Sequence, residues 1–202
     1  VNTLPALFGT GLGLAAGAGL NSYAVLLVYG AMARFFPENY PGAADRALAS
    51  TPVMIALGGL FLLEFLVDKI PGLDHFWDVV HSFVRPLAGA FLAVAVLQPH
   101  GSTPLTVLAG GAGGATALVA HLVKSATRLT STALTAGVAN IALSLAEDVL
   151  AFLQALVSIF LPIVALVVVL ALACIFLLTV PRIARRIDLF GRRRTPKPQP
   201  QT

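Results

Sequence analysis

Charge is what this chain has least of. Only 11% of its 202 residues are charged, against about 25% in an ordinary soluble domain. So few ionisable groups cannot give a globule a hydrated coat, which excludes a soluble domain. Cysteine is almost missing as well. The lone Cys174 lies in an apolar run and supports neither a disulfide framework nor a cysteine-held metal. The alternating segments of about ten residues that build a membrane β-barrel are absent. No basic stretch precedes the first hydrophobic run, "VNTLPALFG", so that run is expected to stay in the mature protein rather than be cleaved as a signal peptide. HExxH, GxSxG and P-loop patterns are absent too, and "GLGLAA" matches the dinucleotide fingerprint only loosely, with no strand before it.

What remains is grease. Hydrophobic residues make up 57% of the chain and the mean hydropathy is +0.89. Continuous runs rich in Leu, Ala and Gly reach the roughly 20 residues a helix needs to cross a hydrocarbon core, and helices satisfy their own backbone in lipid. The expected fold is an all-α polytopic transmembrane bundle over residues 1–181, followed by a basic, disordered cytoplasmic tail over 182–202.

About seven segments are expected. The run 4–36 is too long for one span and is interrupted by "AGAGLNS", giving two short segments that meet near Asn21. Gly9, Gly13 and Gly17 recur every four residues on one face, which suits close helix packing in lipid. "FPENYPGAADRALAS" reads as a polar loop, 52–67 as a third span, 74–98 as a fourth and 104–124 as a fifth. "SATRLTST" reads as a polar linker, and 133–180 as two spans divided near Ser158 to Pro162. "GLNSYAVLL" and "GVANIALSL" each place an Asn after a glycine at a helix start, a hint of two related halves.

The tail carries seven basic residues against Asp188, a balance of +6 within a chain total of +4, which leaves −2 for the membrane body. By the positive-inside rule this tail faces the cytoplasm of a cell (inner) membrane, where it meets anionic lipid headgroups. It is read as a topology anchor, and no nucleic acid is expected as partner. Seven spans then put the N-terminus outside, with Lys69 and a Lys124/Arg128 loop inside and "QPHGST" outside. Arg34 and Arg46 run against this assignment.

The ionisable groups of the body cluster. In "LEFLVDKIPGLDHFWDVVHSFVRPLAG", Asp74, Asp78, His81 and Arg85 follow at spacings of four, three and four, so they share one helix face. The apolar run after Arg85 is too short to cross alone, which draws Arg85 and His81 below the headgroups. Pro86 is expected to kink the helix, and Trp77 reads as an interface anchor. Glu64 and Asp68 share a face of the preceding span, and Glu147-Asp148 falls near the centre of the sixth, where an ionised Asp costs about 2.5–3.5 kcal/mol. Arg85, Lys124 and Arg128 are the available cations, with His121 and His81 as donors or ligands; Asn21 marks the break where a moving bundle would bend.

Three functions are compatible with this pattern. The first is a transporter or channel-like protein for a small ion or polar solute, using the acids, His81 and Arg85. The second is a scaffold or lipid-interacting protein whose charges form an ion-pair network. The third is a metal-assisted intramembrane enzyme acting on a lipid-linked or phosphorylated substrate, with Asp74, Asp78, His81 and His121 as ligands, or Arg85, Lys124 and Arg128 around a phosphate. No metal or cofactor is named by the sequence, and oligomeric state is left open.

"GLNSY" at Gly19 to Tyr23, the stretch from Leu63 to Gly89 and the "ED" pair at Glu147-Asp148 together resemble the bacterial membrane proteins grouped as domain of unknown function 4126. "VAN" at Asn140 departs from a Gly-Asn-Pro turn associated with that family. The resemblance implies a membrane protein of several helices and no particular activity.

Overall fold

A computed structural model of the chain describes residues 3–70 and 73–192, except for the side chains of residues 74, 75 and 180–192. The elements are α1 (Leu4–Leu20), α2 (Ser22–Phe35), a 3-10 turn (Pro37–Asn39), α3 (Ala43–Leu48), α4 (Thr51–Val67), α5 (Leu73–Leu97), α6 (Thr103–Thr135), α7 (Asn140–Phe160) and α8 (Pro162–Arg192). The described residues contain no strand. Four stretches are long and apolar enough to cross a membrane: Phe76–Leu97, Thr103–Thr135, Asn140–Phe160 and Pro162–Thr179. With the shorter apolar helices α1, α2 and α4 they make the seven expected segments.

Local chemistry sets the boundaries. A proline stands in the first turn of α1, α4 and α6, where its missing N–H costs nothing. Asn21 both stops α1 and starts α2. Its extended backbone (φ −148°, ψ 104°) breaks the helix, its N–H donates to Gly17 O, and its Oδ1 accepts from the Ala24 N–H at 2.9 Å as an N-cap. The chain folds back there: a Cβ at Gly17 would touch Val25, and Leu7 of α1 and Tyr29 of α2 line one cavity. The two short helices are thus a hairpin with Asn21 at its tip.

Two sequence expectations change. "SATRLTST" is not a linker, because α6 continues through it to Thr135. Its threonines bond the carbonyl four residues back, Thr127 to Val123, Thr130 to Ala126 and Thr132 to Arg128, so polar residues that read as loop are satisfied within the helix. The turn comes later, at Ala136 and Gly137, both left-handed with φ of 52° and 85°. In the basic segment expected to be disordered, α8 keeps helical backbone to Arg192. Residues 193–202, which include the end "TPKPQPQT", lie outside the described residues.

The Gly9, Gly13 and Gly17 face does what its spacing predicts. A Cβ at Gly9 would strike the Pro162 carbonyl, one at Gly13 would strike Ser158 and Ala165, and one at Gly17 would meet Gln154 and the Ala151 carbonyl. Backbone thereby approaches backbone where α1 lies along α7 and the start of α8. α6 lies equally close to α5, with Gly113 against the Gly89 carbonyl.

The chain divides into two compact units, Val1–Val167 and Val168–Thr202. The first holds α1 to α7 and the opening turns of α8. Around it the exterior is apolar: Phe76, Val79, Phe83 and Leu87 of α5, Val123 and Leu129 of α6, and Leu145 and Val149 of α7 are exposed. Apolar residues face outward at the levels where the same helices carry charges inward, as expected of a protein solvated by lipid. The chain is an integral membrane protein.

Candidate ion-binding site at a broken helix

The carbonyl end of α1 explains why cations gather. A helix leaves its last four C=O groups without intrahelical donors and carries a partial negative charge at that end. In α1 that end is buried in protein instead of facing water. Arg85 donates one NH1 bond to Gly19 O at 3.1 Å, and Lys124 Nζ donates to Leu20 O at 2.8 Å. Asn21, fully buried, donates from Nδ2 to Asp148 Oδ1 at 2.8 Å. The hairpin tip is held by α5, α6 and α7 together.

Around the tip lie two connected groups. In the first, Arg85 NH2 donates to Glu64 Oε1 at 2.6 Å, and its NH1 meets His121 Nδ1 at 2.7 Å. Because a guanidinium only donates, His121 Nδ1 must accept, which places the ring hydrogen on Nε2. That nitrogen lies 3.1 Å from Asp78 O and 3.0 Å from the Ser82 hydroxyl. His81 Nδ1 faces Trp77 O at 3.0 Å and must donate, and its Nε2 lies 3.8 Å from Glu64 Oε1. Trp77 and Tyr23 set their rings edge-on to His81, with centroids 5.2 and 5.7 Å away. Trp77 therefore walls the site.

The second group is an ion-pair clamp. Arg128 donates to Asp68 Oδ2 at 2.7 Å and to Glu147 Oε2 at 2.5 Å, its Nε adding a 3.0 Å bond to the latter. Lys124 Nζ lies 3.4 Å from Asp68 and 3.3 Å from Glu147. The C-cap of α4, the second half of α6 and the first half of α7 are tied through these groups. Lys69, at the rim, donates to Phe65 O and lies 3.1 Å over the Phe65 ring rather than on a carboxylate.

Eleven of the twelve residues expected at a site therefore converge, and each is under a tenth exposed: Asn21, Glu64, Asp68, Asp78, His81, Arg85, His121, Lys124, Arg128, Glu147 and Asp148. The side chain of Asp74 lies outside the described residues. Lys124 and Arg128, taken as cytoplasmic loop charges, are instead buried in the bundle and carry no topological information. Asn140 is the first residue of α7, where Asn21 precedes α2, and it donates to Thr132 Oγ1 at 2.8 Å. Among the described residues no three His, Cys, Asp or Glu side chains group closely enough to hold a metal ion.

The pairing is uneven. Arg85 serves Glu64, and Arg128 with Lys124 serves Asp68 and Glu147, whereas Asp78 and Asp148 make no close ion pair among the described residues, Lys124 and Lys69 acting on Asp148 only at longer range. Asp78 Oδ1 and Asp148 Oδ2 are also without a hydrogen-bond donor there.

A second polar locus was not anticipated. Within the supposed loop, α3 buries Asp45, whose Oδ1 accepts from the Tyr29 hydroxyl at 2.8 Å and whose Oδ2 accepts from the Gly42 N–H at 2.9 Å. The available signal was an acid three residues after a glycine, the spacing at which a side chain reaches back to a helix start.

No curated protein and no solved structure matches the chain. The family described as Domain of unknown function (DUF4126) matches residues 8–182, nearly the whole of the helical body. The chain belongs to the DUF4126 family.

Proposed function

We propose that the protein moves a proton or a small cation across a cell (inner) membrane, with Asp78 and Asp148 as the groups that take it up. One observation carries this reading: of the five buried acids of the cluster, these two aspartates alone make no close ion pair with its three buried cations among the described residues. Uncompensated charge within a bilayer costs several kcal/mol, so each gains by binding a proton or a cation. Asp148 bonds to the tip of a broken hairpin of the kind that lines binding sites in transporters, and the Asp78 carbonyl meets His121 of the same cluster. Arg85 can exchange between Glu64, His121 and the Gly19 carbonyl without leaving the cluster, which gives the bound ion a competitor.

The topology that fits places the C-terminus in the cytoplasm, because the basic residues gather there and would contact anionic headgroups. The charged cluster then lies in the inner half of the bundle.

A second reading has its own support. Arg128 binds acids from two other segments at once, which is the form an assembly clamp would take, and the cavities described below lie elsewhere. Flux measurements in liposomes separate the two, using a pH-sensitive dye for protons and separate Na⁺ and K⁺ gradients. Transport predicts flux that is lost in Asp78→Asn and Asp148→Asn while both variants stay folded, since neither substitution breaks an ion pair. A scaffold predicts no flux under any gradient.

A further inference from the structure

At the end of the bundle away from the charged cluster, two adjoining cavities of about 220 and 440 Å³ open to the surface. They share Tyr40, His100 and Phe160 among their walls, and Asp45 lines the smaller. Asp45 is 2% exposed, and its two bonds come from neutral donors, the Tyr29 hydroxyl and the Gly42 N–H. Neighbouring cations turn elsewhere: Arg46 donates to Pro41 O, and Arg34 to Ala49 O and Thr51. No Lys or Arg lines either cavity, and Glu38 stands at the wall of the larger one. The rings of Tyr29 and Tyr40 meet edge to face, 5.3 Å apart at 87°.

The chamber therefore combines an unneutralised carboxylate with aromatic and apolar walls. Such a field attracts cations. A metal ion would need about six or more oxygen ligands if it were Ca²⁺, whereas Asp45 already accepts two bonds and the walls are largely carbon. An aromatic face instead favours a weakly hydrated organic cation. The volumes lie at or below the lower part of the usual range of about 300–1,000 Å³ for ligand pockets, so the guest is small.

We propose that this vestibule binds a small ammonium-type organic cation, with Asp45 supplying the charge and Tyr40 the aromatic face. Burial, with the Asp45 charge second, pushes the Tyr40 phenol up to about 12. The site stands on its own geometry and does not depend on the role given to the charged cluster.

The test is titration calorimetry of the full chain in nanodiscs with choline and with its neutral isostere 3,3-dimethylbutan-1-ol. Choline is expected to bind at least about tenfold more tightly. Tyr40→Phe should hold that affinity and Tyr40→Leu should lose about tenfold; Asp45→Asn should abolish the preference for the cation. If Asp45→Asn does not fold, the Tyr40 pair and the isostere decide the matter. Equal binding of the two compounds, indifference to Tyr40→Leu, or no choline binding at millimolar concentration would each overturn the proposal.

Discussion

Asn21 and Asp148, 127 residues apart in sequence, are joined by a 2.8 Å hydrogen bond in the interior of the bundle. The amide of Asn21 works at both ends: its oxygen caps α2 and its nitrogen fixes α7 to the hairpin tip. Asn21→Ala should cost about 1 kcal/mol for the lost cap, and about 1–3 kcal/mol more for the acceptor left without a donor. Asp148→Asn keeps an oxygen for the same bond and should be milder. Unfolding midpoints in detergent will rank them, and equal losses would show that the bond carries no stability.

Arg128→Met strands Asp68 and Glu147 with Lys124 alone and should destabilise the bundle by about 3–5 kcal/mol. Adding Glu147→Leu removes the surplus acid and should recover most of the loss, because a well-packed apolar pair avoids desolvation. Folded yield and SDS-induced unfolding report this, and a double variant as unstable as the single one would refute it.

Close helix contact predicts a contrast among glycines. Gly13→Val would collide with Ser158 and Ala165 and should cost about 1–3 kcal/mol from overpacking. A Cβ at Gly59 meets nothing within 4 Å, so Gly59→Ala should be neutral or gain up to about 1 kcal/mol in helix propensity. Thermal midpoints in detergent measure both.

Orientation is testable through the single native cysteine. In a Cys174→Ser background, Ser102→Cys should react with a membrane-impermeant maleimide on intact cells. Val138→Cys, in the exposed turn after α6, should react only after permeabilisation. The reverse pattern would put the basic tail outside.

Alkaline pH should loosen the 36–42 connection. The Tyr40 phenol is raised from 10.0 to about 12 by burial and by Asp45. Its proton is thus held more tightly in the folded chain than in the unfolded one, and its contribution to stability is complete below pH 10. That contribution falls away as pH rises from about 10 to about 12. Stability in this window, followed alongside phenolate absorbance, should decline in the wild type and decline less in Tyr40→Phe.

Much of the charged cluster was legible because its logic is local. Asp78, His81 and Arg85 share a face through spacing alone, and a run of apolar residues too short to cross unaided implied that this face is buried. The positions of Lys124 and Arg128 were misread because Ser and Thr look like linker, although in α6 their hydroxyls bond back into the helix. The bond from Asn21 to Asp148 and the one from Tyr29 to Asp45 join separate elements, and nothing in the periodicity of one segment announces its partner in another. Asp45 in particular sat in a polar stretch with every mark of an exposed loop.

The docking of the hairpin tip also sets a schedule. Gly19, Leu20 and Asn21 emerge from the ribosome before their partners Arg85, Lys124 and Asp148, the last of which is made 127 residues on. At about 5–20 residues per second, the nascent tip waits roughly 6–25 s for its final contact. During that interval the hairpin must be sheltered by the insertion machinery or by water, so a segment translated before its partners waits for the last of them to reach its native place.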